Sequence, residues 1–146
     1  VYAALGEYQA AVNEYQQAAE LMELTPQLLL NLADALSRTG RHPEAINTLE
    51  QVLRLEPTPI AYERLGAARF RMRSYDEAQE AFEAALELDP DHYPALNGLG
   101  VCYLNKYLWS KRTDTTAQQE AMRLLRRSLQ IQQNQPRIIE LVRRYD

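Results

Sequence analysis

Apolar side chains recur at three- and four-residue steps along most of this 146-residue chain. One such series follows Pro26 and lies on a single helical face, at Leu29, Leu32, Ala33 and Leu36. A second series follows Pro43, at Ala45, Ile46, Leu49, Val52, Leu53 and Leu55. Thr25 is suited to cap the first helix, and Gly40 to end it where the chain reverses. The pattern therefore predicts amphipathic helices joined in antiparallel pairs.

This two-helix pattern returns along the chain with a period of about 34 residues. One register consists of alanines that are 34, 33 and 43 residues apart, each followed four residues later by a large apolar side chain: Ala11–Tyr15, Ala45–Leu49, Ala78–Phe82 and Ala121–Leu125. A second register, 33 and 34 residues apart, consists of Leu32, Leu65 and Leu99. Helices that cross at about 8–10 Å need small residues at the crossing. Because one helix pair cannot bury its apolar face alone, the units are expected to stack.

These residues resemble the tetratricopeptide repeat, in which Leu-Gly between two large residues is followed by Ala-x3-aromatic and then by proline. The third unit carries the pattern best, with Tyr62, Leu65-Gly66, Ala78, Phe82 and Pro90. It departs at Arg69, where a large apolar residue is usual, and at Arg73, where glycine is usual. The resemblance implies an all-α fold, a right-handed α-solenoid of helix-turn-helix repeats. It implies about three full repeats, a partial N-terminal repeat and a C-terminal capping helix.

We expect one domain over residues 1–146. Its units are a partial repeat (1–25), three repeats (26–58, 59–92 and 93–135) and a capping helix (136–146). Tyr2 is expected to close a first helix that ends before Gly6, with the next helix over Tyr8–Leu24. The chain is then expected to start inside a repeat, as a fragment of a longer protein or as a natural start with half a repeat.

The fourth unit is nine residues longer than the others, with the insertion around residues 106–117. We expect the residues after Tyr103 to prolong the first helix before a loop, and the next helix to begin near Thr115 or Thr116. Trp109, the only tryptophan, either folds back onto the end of the stack or anchors a partner together with Lys111 and Arg112.

Charge differs between the two parts of the chain. Residues 1–105 have 7 basic and 16 acidic side chains, a net −9, whereas residues 106–146 have 9 basic and 4 acidic side chains, a net +5. The positive part is either a solvated helix face or a contact for an acidic partner. Nucleic acid is the least favoured reading, because aromatic stacking partners and lysine-rich stretches are missing.

The sequence offers no candidate for catalysis, for a cofactor or for a metal. A single cysteine, Cys102, excludes a disulfide framework and a cysteine-based zinc site, and it is expected to be a buried, inert thiol. His42 and His92 are far apart and are expected to be structural. We therefore expect a protein that is not an enzyme and that binds no cofactor.

No uncharged apolar run approaches the roughly 20 residues that a membrane-spanning helix needs. With no signal or membrane segment visible, the cytoplasm is the default expectation for location. Short alanine- and glutamine-rich repeats of this kind are typical of bacteria.

Exposed positions of the first helices are expected to line the inside of a curved stack. The predicted partner-binding residues are Gln27, Leu30, Asp34, Arg38, Glu63, Phe70, Arg71, Asn97, Val101, Leu104 and Asn105, and Ser37, Ile60 and Ala67 share this face. Apolar positions beside arginines suit an extended peptide or an amphipathic helix with an acidic residue or two. The alternative is a solvated helix surface without a ligand.

Some members of the family clamp the carboxylate tail of heat-shock chaperones with Lys and Asn at set inner positions. Here those positions are occupied by Leu30, Asp34, Ile60, Glu63 and Arg64, so the resemblance does not extend to that activity. The predicted function is a protein–protein interaction scaffold. The alternatives are self-assembly end to end through the terminal helices, which would make a homo-oligomer, and a recruiting domain of a larger multidomain enzyme.

Overall fold

Consecutive helices pack against one another along the chain in a computed structural model that describes residues 2–21 and 24–146, with side chains for residues 4–18 and 24–146. The helices are α1 (Tyr2–Leu21), α2 (Pro26–Arg38), α3 (His42–Leu55), α4 (Pro59–Arg71), α5 (Tyr75–Leu88), α6 (Tyr93–Trp109), α7 (Thr115–Ile131) and α8 (Pro136–Tyr145). Within these ranges there is no β-strand. Helix α4 also contacts α2 and α6, so first helices of successive pairs lie side by side. The all-α stack of helical hairpins that the sequence predicts is confirmed.

Capping and turn residues set the ends of the helices. The hydroxyls of Thr25 and Thr58 each accept a hydrogen bond from the backbone N–H three residues further on, at 3.1 and 3.2 Å. A proline stands at the first helical position after each of them, where its missing N–H costs nothing. Gly40 turns the chain between α2 and α3 with φ 80°, and Arg73 takes the same left-handed conformation between α4 and α5 with φ 61°. Arg73 therefore bears a steric cost that glycine would avoid.

The two repeat registers form the core between the helices. Leu32, Leu65 and Leu99 are 8%, 4% and 6% exposed, so all three occupy equivalent buried positions. The alanines of the second helices, Ala45, Ala78 and Ala121, are completely buried. Small residues at these places allow the close helix crossings that the repeat requires.

The prediction that a helix ends before Gly6 is wrong. Helix α1 runs without interruption from Tyr2 through Gly6 to Leu21, and Gly6 is not among the residues with positive φ. One glycine costs a helix only about 1 kcal/mol relative to alanine, which good helix formers on both sides offset. Helix α1 packs on α2 as a single element. The expected apolar contact of Tyr2 lies outside the described side chains.

The nine inserted residues are divided among three places. Compared with α4 and α5, helix α6 is four residues longer and α7 is three residues longer, and the connection between them has two more residues. At 1.5 Å per residue, the added turn carries the α6–α7 hairpin about 6 Å beyond its neighbours. Helix α7 begins at Thr115, as the sequence predicts, with Asp114 as its N-cap.

Candidate functional site

Two neighbouring clefts lie where the first helices meet. The polar cleft, of about 340 Å³, is formed between α2 and α4 by Asp34, Ser37, Arg38, Glu63, Arg64, Ala67, Ala68 and Arg71. The apolar cleft, of about 420 Å³, is formed by Ala67, Phe70, Arg71, Phe82, Asn97, Gly98, Val101 and Arg137. Ala67 and Arg71 line both clefts, so the two are adjacent.

An ion-pair network crosses the polar cleft and joins α4 to α2. Arg64 Nη1 lies 2.6 Å from Asp34 Oδ2, and Arg64 Nε lies 3.2 Å from Glu63 Oε2. Burial works to lower the pKa of Arg64, but its contacts with the two carboxylates outweigh burial and raise that pKa. Arg64 therefore stays charged and is neutralised by its own neighbours.

Glu63 is the more buried of these carboxylates, with 18% of its side chain exposed. Burial raises its pKa, and the positive charge of Arg64 opposes this only in part. Its Oε2 atom lies at ion-pair distance from Arg64, yet the angle is too poor for a hydrogen bond. Glu63 Oε2 is thus a buried acceptor without a hydrogen bond.

The remaining arginines of the polar cleft are not neutralised in this way. Arg38 donates to the hydroxyl of Tyr8 at 3.4 Å, and its guanidinium lies 5.3 Å from the centre of that ring. Arg71 is exposed and forms no ion pair within the described residues. It also borders a third hollow, next to His42 and Arg38. The centre of the groove therefore offers cations to an incoming carboxylate.

Aromatic rings form the floor of the apolar cleft. Phe82 reaches it from α5, and Phe70 contacts Tyr75 edge-on with 5.0 Å between ring centres. Asn97 Nδ2 donates to Gln135 Oε1 at 2.7 Å, which ties the wall of the cleft to the segment before α8. The apolar floor, the Asn97 amide and the arginines suit an apolar side chain that has polar neighbours.

The structure brings most of the predicted groove residues together. Asp34, Arg38, Glu63 and Arg71 line the polar cleft, and Phe70, Arg71, Asn97 and Val101 line the apolar cleft. Gln27 and Leu30 border a separate hollow at the N-terminal ends of α2 and α4, together with Ile60. Asn105 is half-buried and lines neither cleft.

Leu104 does not belong to the groove, and its prediction as a partner-binding residue is wrong. It is 4% exposed and belongs to a buried cluster with Ala121, Met122, Leu125 and Ile138. The reason is α8, since Ile138 closes over this part of α6 and α7. Phe70 has the same position in α4 as Leu104 has in α6, and it is only half-buried because no helix of the described structure covers it.

Five residues of the clefts lie outside the predicted groove: Arg64, Ala68, Phe82, Gly98 and Arg137. Arg137 comes from α8 and borders the apolar cleft, and Gly98 lies under the ring of Phe82. The sequence does point to Gly98 as a special position, because a second glycine two residues before Gly100 is unusual within a helix. Nothing in the sequence indicates that the start of α8 reaches the groove.

Trp109 does not fold back onto the stack, so that expectation is wrong. It ends α6 with 75% of its surface exposed, and Lys111 and Arg112 beside it are exposed as well. Its role as an anchor for a partner stays a prediction.

The positive charge of α7 is largely neutralised within the protein. Arg123 pairs with Glu120, and Arg126 pairs with Asp146. Arg127 lies 2.5 Å from Asp91. These contacts favour a solvated, ion-paired helix face.

The thiol and the histidines have structural surroundings. Cys102 is buried, and burial raises its pKa to about 12, as expected of an inert thiol. Burial also lowers the pKa of His42 and of His92. Within the described ranges, no three His, Cys, Asp or Glu side chains gather as a metal site requires. None of the helices described is both long and apolar enough to cross a bilayer.

Comparison with protein families gives two overlapping matches. Two tetratricopeptide repeat family models match residues 2–68 and 63–109, and together they span most of the chain. Helices α7 and α8 lie entirely outside both matches.

Curated relatives contain similar repeats. The chain is 35% identical over 118 residues to small glutamine-rich tetratricopeptide repeat-containing protein 2 of Mycosarcoma maydis, covering 79% of this chain and 34% of that protein. It is 33% identical over 96 residues to Hsp70-Hsp90 organizing protein 2 of Arabidopsis thaliana, covering 65% of this chain and 17% of that protein. The chain thus spans about a third or less of the length of these relatives.

Solved structures share the fold. MamA protein superimposes with a TM-score of 0.74 at 20% identity, covering 94% of this chain and 70% of that chain. The tetratricopeptide repeat protein YrrB, described as having an unusual peptide-binding site, gives 0.74 at 20% identity, with 96% and 68% covered. The first such domain of Spaghetti (RPAP3), bound to HSP90 peptide SRMEEVD, gives 0.71 at 17% identity, with 82% and 89% covered.

Proposed function

Because this chain belongs to the tetratricopeptide repeat family, we propose that it is a protein–protein interaction scaffold that binds a segment of a partner in its inner groove. The bound segment would lie along α2, α4 and α6, with an apolar side chain in the apolar cleft. An acidic side chain of the same segment would meet Arg71. The binding residues proposed are Asp34, Arg38, Glu63, Phe70, Arg71, Asn97 and Val101.

The observation that carries this proposal is that the two clefts are adjacent and share Arg71 in their walls. A floor of apolar rings ends beside a cation that forms no ion pair within the described ranges. Arginine beside apolar surface is typical of sites where binding energy is concentrated. An inner face that only contacts solvent would not require a cleft lined by aromatic rings.

The name of one relative concerns chaperones, and one related structure contains a chaperone peptide. In this chain the polar cleft presents Asp34 and Glu63 where a carboxylate clamp needs cations, and Arg64 is already paired with both. Like charges at that place would repel the free carboxylate of such a peptide. We therefore propose that the partner segment is not a carboxylate tail of this type.

The test uses a peptide selected from a displayed library against the chain, with its affinity measured by fluorescence anisotropy. The double substitution Phe70→Ala with Arg71→Glu is expected to weaken binding at least roughly tenfold, the effect of losing an apolar anchor and a paired charge. A matched control is Leu55→Ala with Arg54→Glu, because both side chains are exposed on α3, away from the clefts.

The control is expected to bind like the unaltered chain, and both variants are expected to keep the circular dichroism of the folded helices. If the groove variant binds the selected peptide with unchanged affinity, the groove is not the binding site.

A further inference from the structure

The lengthened α6–α7 hairpin ends in a surface that the groove does not use. We call residues 106–114 the hairpin tip. On one side of the tip, Tyr107 packs against the buried cluster that includes Ile138 of α8. On the other side, Leu108 and Trp109 are exposed. The added turn therefore has one face that stabilises the fold and one face that is partly open to solvent, with Leu108 37% and Trp109 75% exposed.

The backbone of the hairpin tip is fixed by its own hydrogen bonds. Ser110 Oγ donates to the carbonyl of Tyr107 at 2.6 Å and accepts from the backbone N–H of Asp114 at 2.9 Å. Thr113 Oγ1 donates to the carbonyl of Ser110 at 2.7 Å. Because these contacts hold the turn, little ordering would be needed when a partner binds.

Two successive residues of the tip take the left-handed conformation, Lys111 with φ 56° and Arg112 with φ 65°. The turn between α4 and α5 has only one such residue, Arg73, so the second is specific to the insertion. Side chains other than glycine rarely adopt this conformation, and where they do the surrounding structure must hold them. The guanidinium of Arg112 lies 5.8 Å from the ring centre of Tyr145 of α8.

Charge at the tip is mainly positive. Lys106, Lys111 and Arg112 form no ion pair within the part of the chain that the structure describes. The only carboxylate of the tip, Asp114, is engaged as the N-cap of α7 and accepts from the N–H of Ala117 at 3.0 Å. Lys106 donates to Gln79 Oε1 at 2.6 Å, so Lys111 and Arg112 are the cations of the tip that are open to a carboxylate. An exposed tryptophan and an exposed leucine stand beside them.

We propose that the hairpin tip is a second interaction surface, which binds an acidic segment of a partner protein that carries apolar side chains between its carboxylates. The apolar side chains would cover Trp109 and Leu108, and the carboxylates would pair with Lys111 and Arg112. Tryptophan and arginine are the residues most enriched at the centres of protein interfaces. This surface is separate from the groove, so one chain can hold two segments at once.

The observations favour a protein segment over an anionic membrane or a nucleic acid. Electrostatic binding to anionic lipid usually takes a cluster of about four to eight basic residues, more than the tip has. A long polyanion would also be repelled by the net charge of −9 of residues 1–105. A short segment bound at the tip is less affected, because salt screens charges that lie further away than the Debye length.

The only tryptophan of the chain stands at the centre of this surface, so its fluorescence reports binding there. The probe is an acetylated and amidated peptide of alternating glutamates and leucines. Its controls replace every glutamate by lysine, or every leucine by serine. With the full chain, the glutamate–leucine peptide is expected to shift the Trp109 emission to shorter wavelength and to reduce its quenching by iodide. The two control peptides are expected to cause neither change.

Substitution of Lys111→Glu with Arg112→Glu is expected to weaken binding of this peptide at least roughly tenfold, and to favour the lysine peptide instead. The groove variant Phe70→Ala with Arg71→Glu is expected to give the same emission shift as the unaltered chain. The two variants thus test the tip proposal and the groove proposal separately.

Four results would overturn the proposal. The first is an unchanged Trp109 emission at about 1 mM of the glutamate–leucine peptide, a concentration at which even weak binding is detected. The second is an equal emission shift with all three peptides. The third is a shift that depends on the protein concentration alone, which indicates binding of a second copy, and the fourth is a shift seen only with phosphatidylserine vesicles.

Discussion

The ring of Phe82 occupies the space that a Cβ on Gly98 would need. A methyl group built at Gly98 would lie 2.3 Å from Phe82 Cε1, far inside van der Waals contact. The same ring lies over Gly66, where an added Cβ would be 2.7 Å from it. Glycines on two successive first helices thus make room for one side chain of α5. This ring is also part of the floor of the apolar cleft.

Gly98→Ala is expected to lower the free energy of unfolding by roughly 1–3 kcal/mol, the usual cost of overpacking a core. The ring cannot move aside easily, because Phe82 is buried in the core. Urea denaturation measures the effect. The control is Gly6→Ala, since an added Cβ there meets no atom within 4 Å, and it is expected to be neutral or stabilising by up to about 1 kcal/mol. Equal stability of the Gly98→Ala variant and the unaltered chain would contradict the packing described.

Leu104→Ala is expected to lower the free energy of unfolding by about 2–5 kcal/mol, because it empties a place in the core beneath α8. Leu108→Ala, on the same helix but exposed, is expected to cost much less. Thermal and urea denaturation of both variants check this. A Leu104→Ala variant of normal stability and weakened peptide binding would restore Leu104 to the groove.

The contact between Arg64 and Asp34 is expected to add little to stability. Both side chains are more than a third exposed, 39% and 36%, and such pairs contribute about 1 kcal/mol or less. A double-mutant cycle with Arg64→Ala and Asp34→Ala gives the coupling energy, which is expected to fall as salt is added. A coupling energy well above this range that does not respond to salt would mean that the pair is shielded from solvent.

The two histidines are expected to make the protein less stable in mild acid. Burial lowers the pKa of His42 and of His92 in the folded chain, and the charge of Arg71 adds to this at His42. The unfolded chain then binds protons at a higher pH than the folded chain. This contribution to stability is therefore complete above the ordinary pKa of 6.5 and is lost as the pH falls below it.

The melting temperature is expected to decrease between about pH 7.5 and pH 5.5. The double variant His42→Gln with His92→Gln is expected to decrease less over the same interval. Identical pH profiles of the two proteins would show that these histidines do not carry the effect.

The sequence by itself determined the elements and their buried faces. Leu32, Leu65 and Leu99 recur at the repeat period, and each is buried, because the apolar stripe of a helix depends only on residues three and four positions apart. The cap at Thr25 and the turn at Gly40 were predictable for the same local reason. So was much of the groove, since one helix position has the same surroundings in every regular repeat.

The tertiary structure decided what the regular pattern could not. Leu104 has the spacing of a groove residue and is buried, because α8 covers it, whereas Val101, one turn earlier, stays in the apolar cleft. Arg137 reaches that cleft only through the way α8 packs, and Trp109 is exposed because nothing in the described structure lies over the tip. Periodicity determines which side of a helix is apolar. Which neighbour covers that side depends on contacts between residues far apart in the chain.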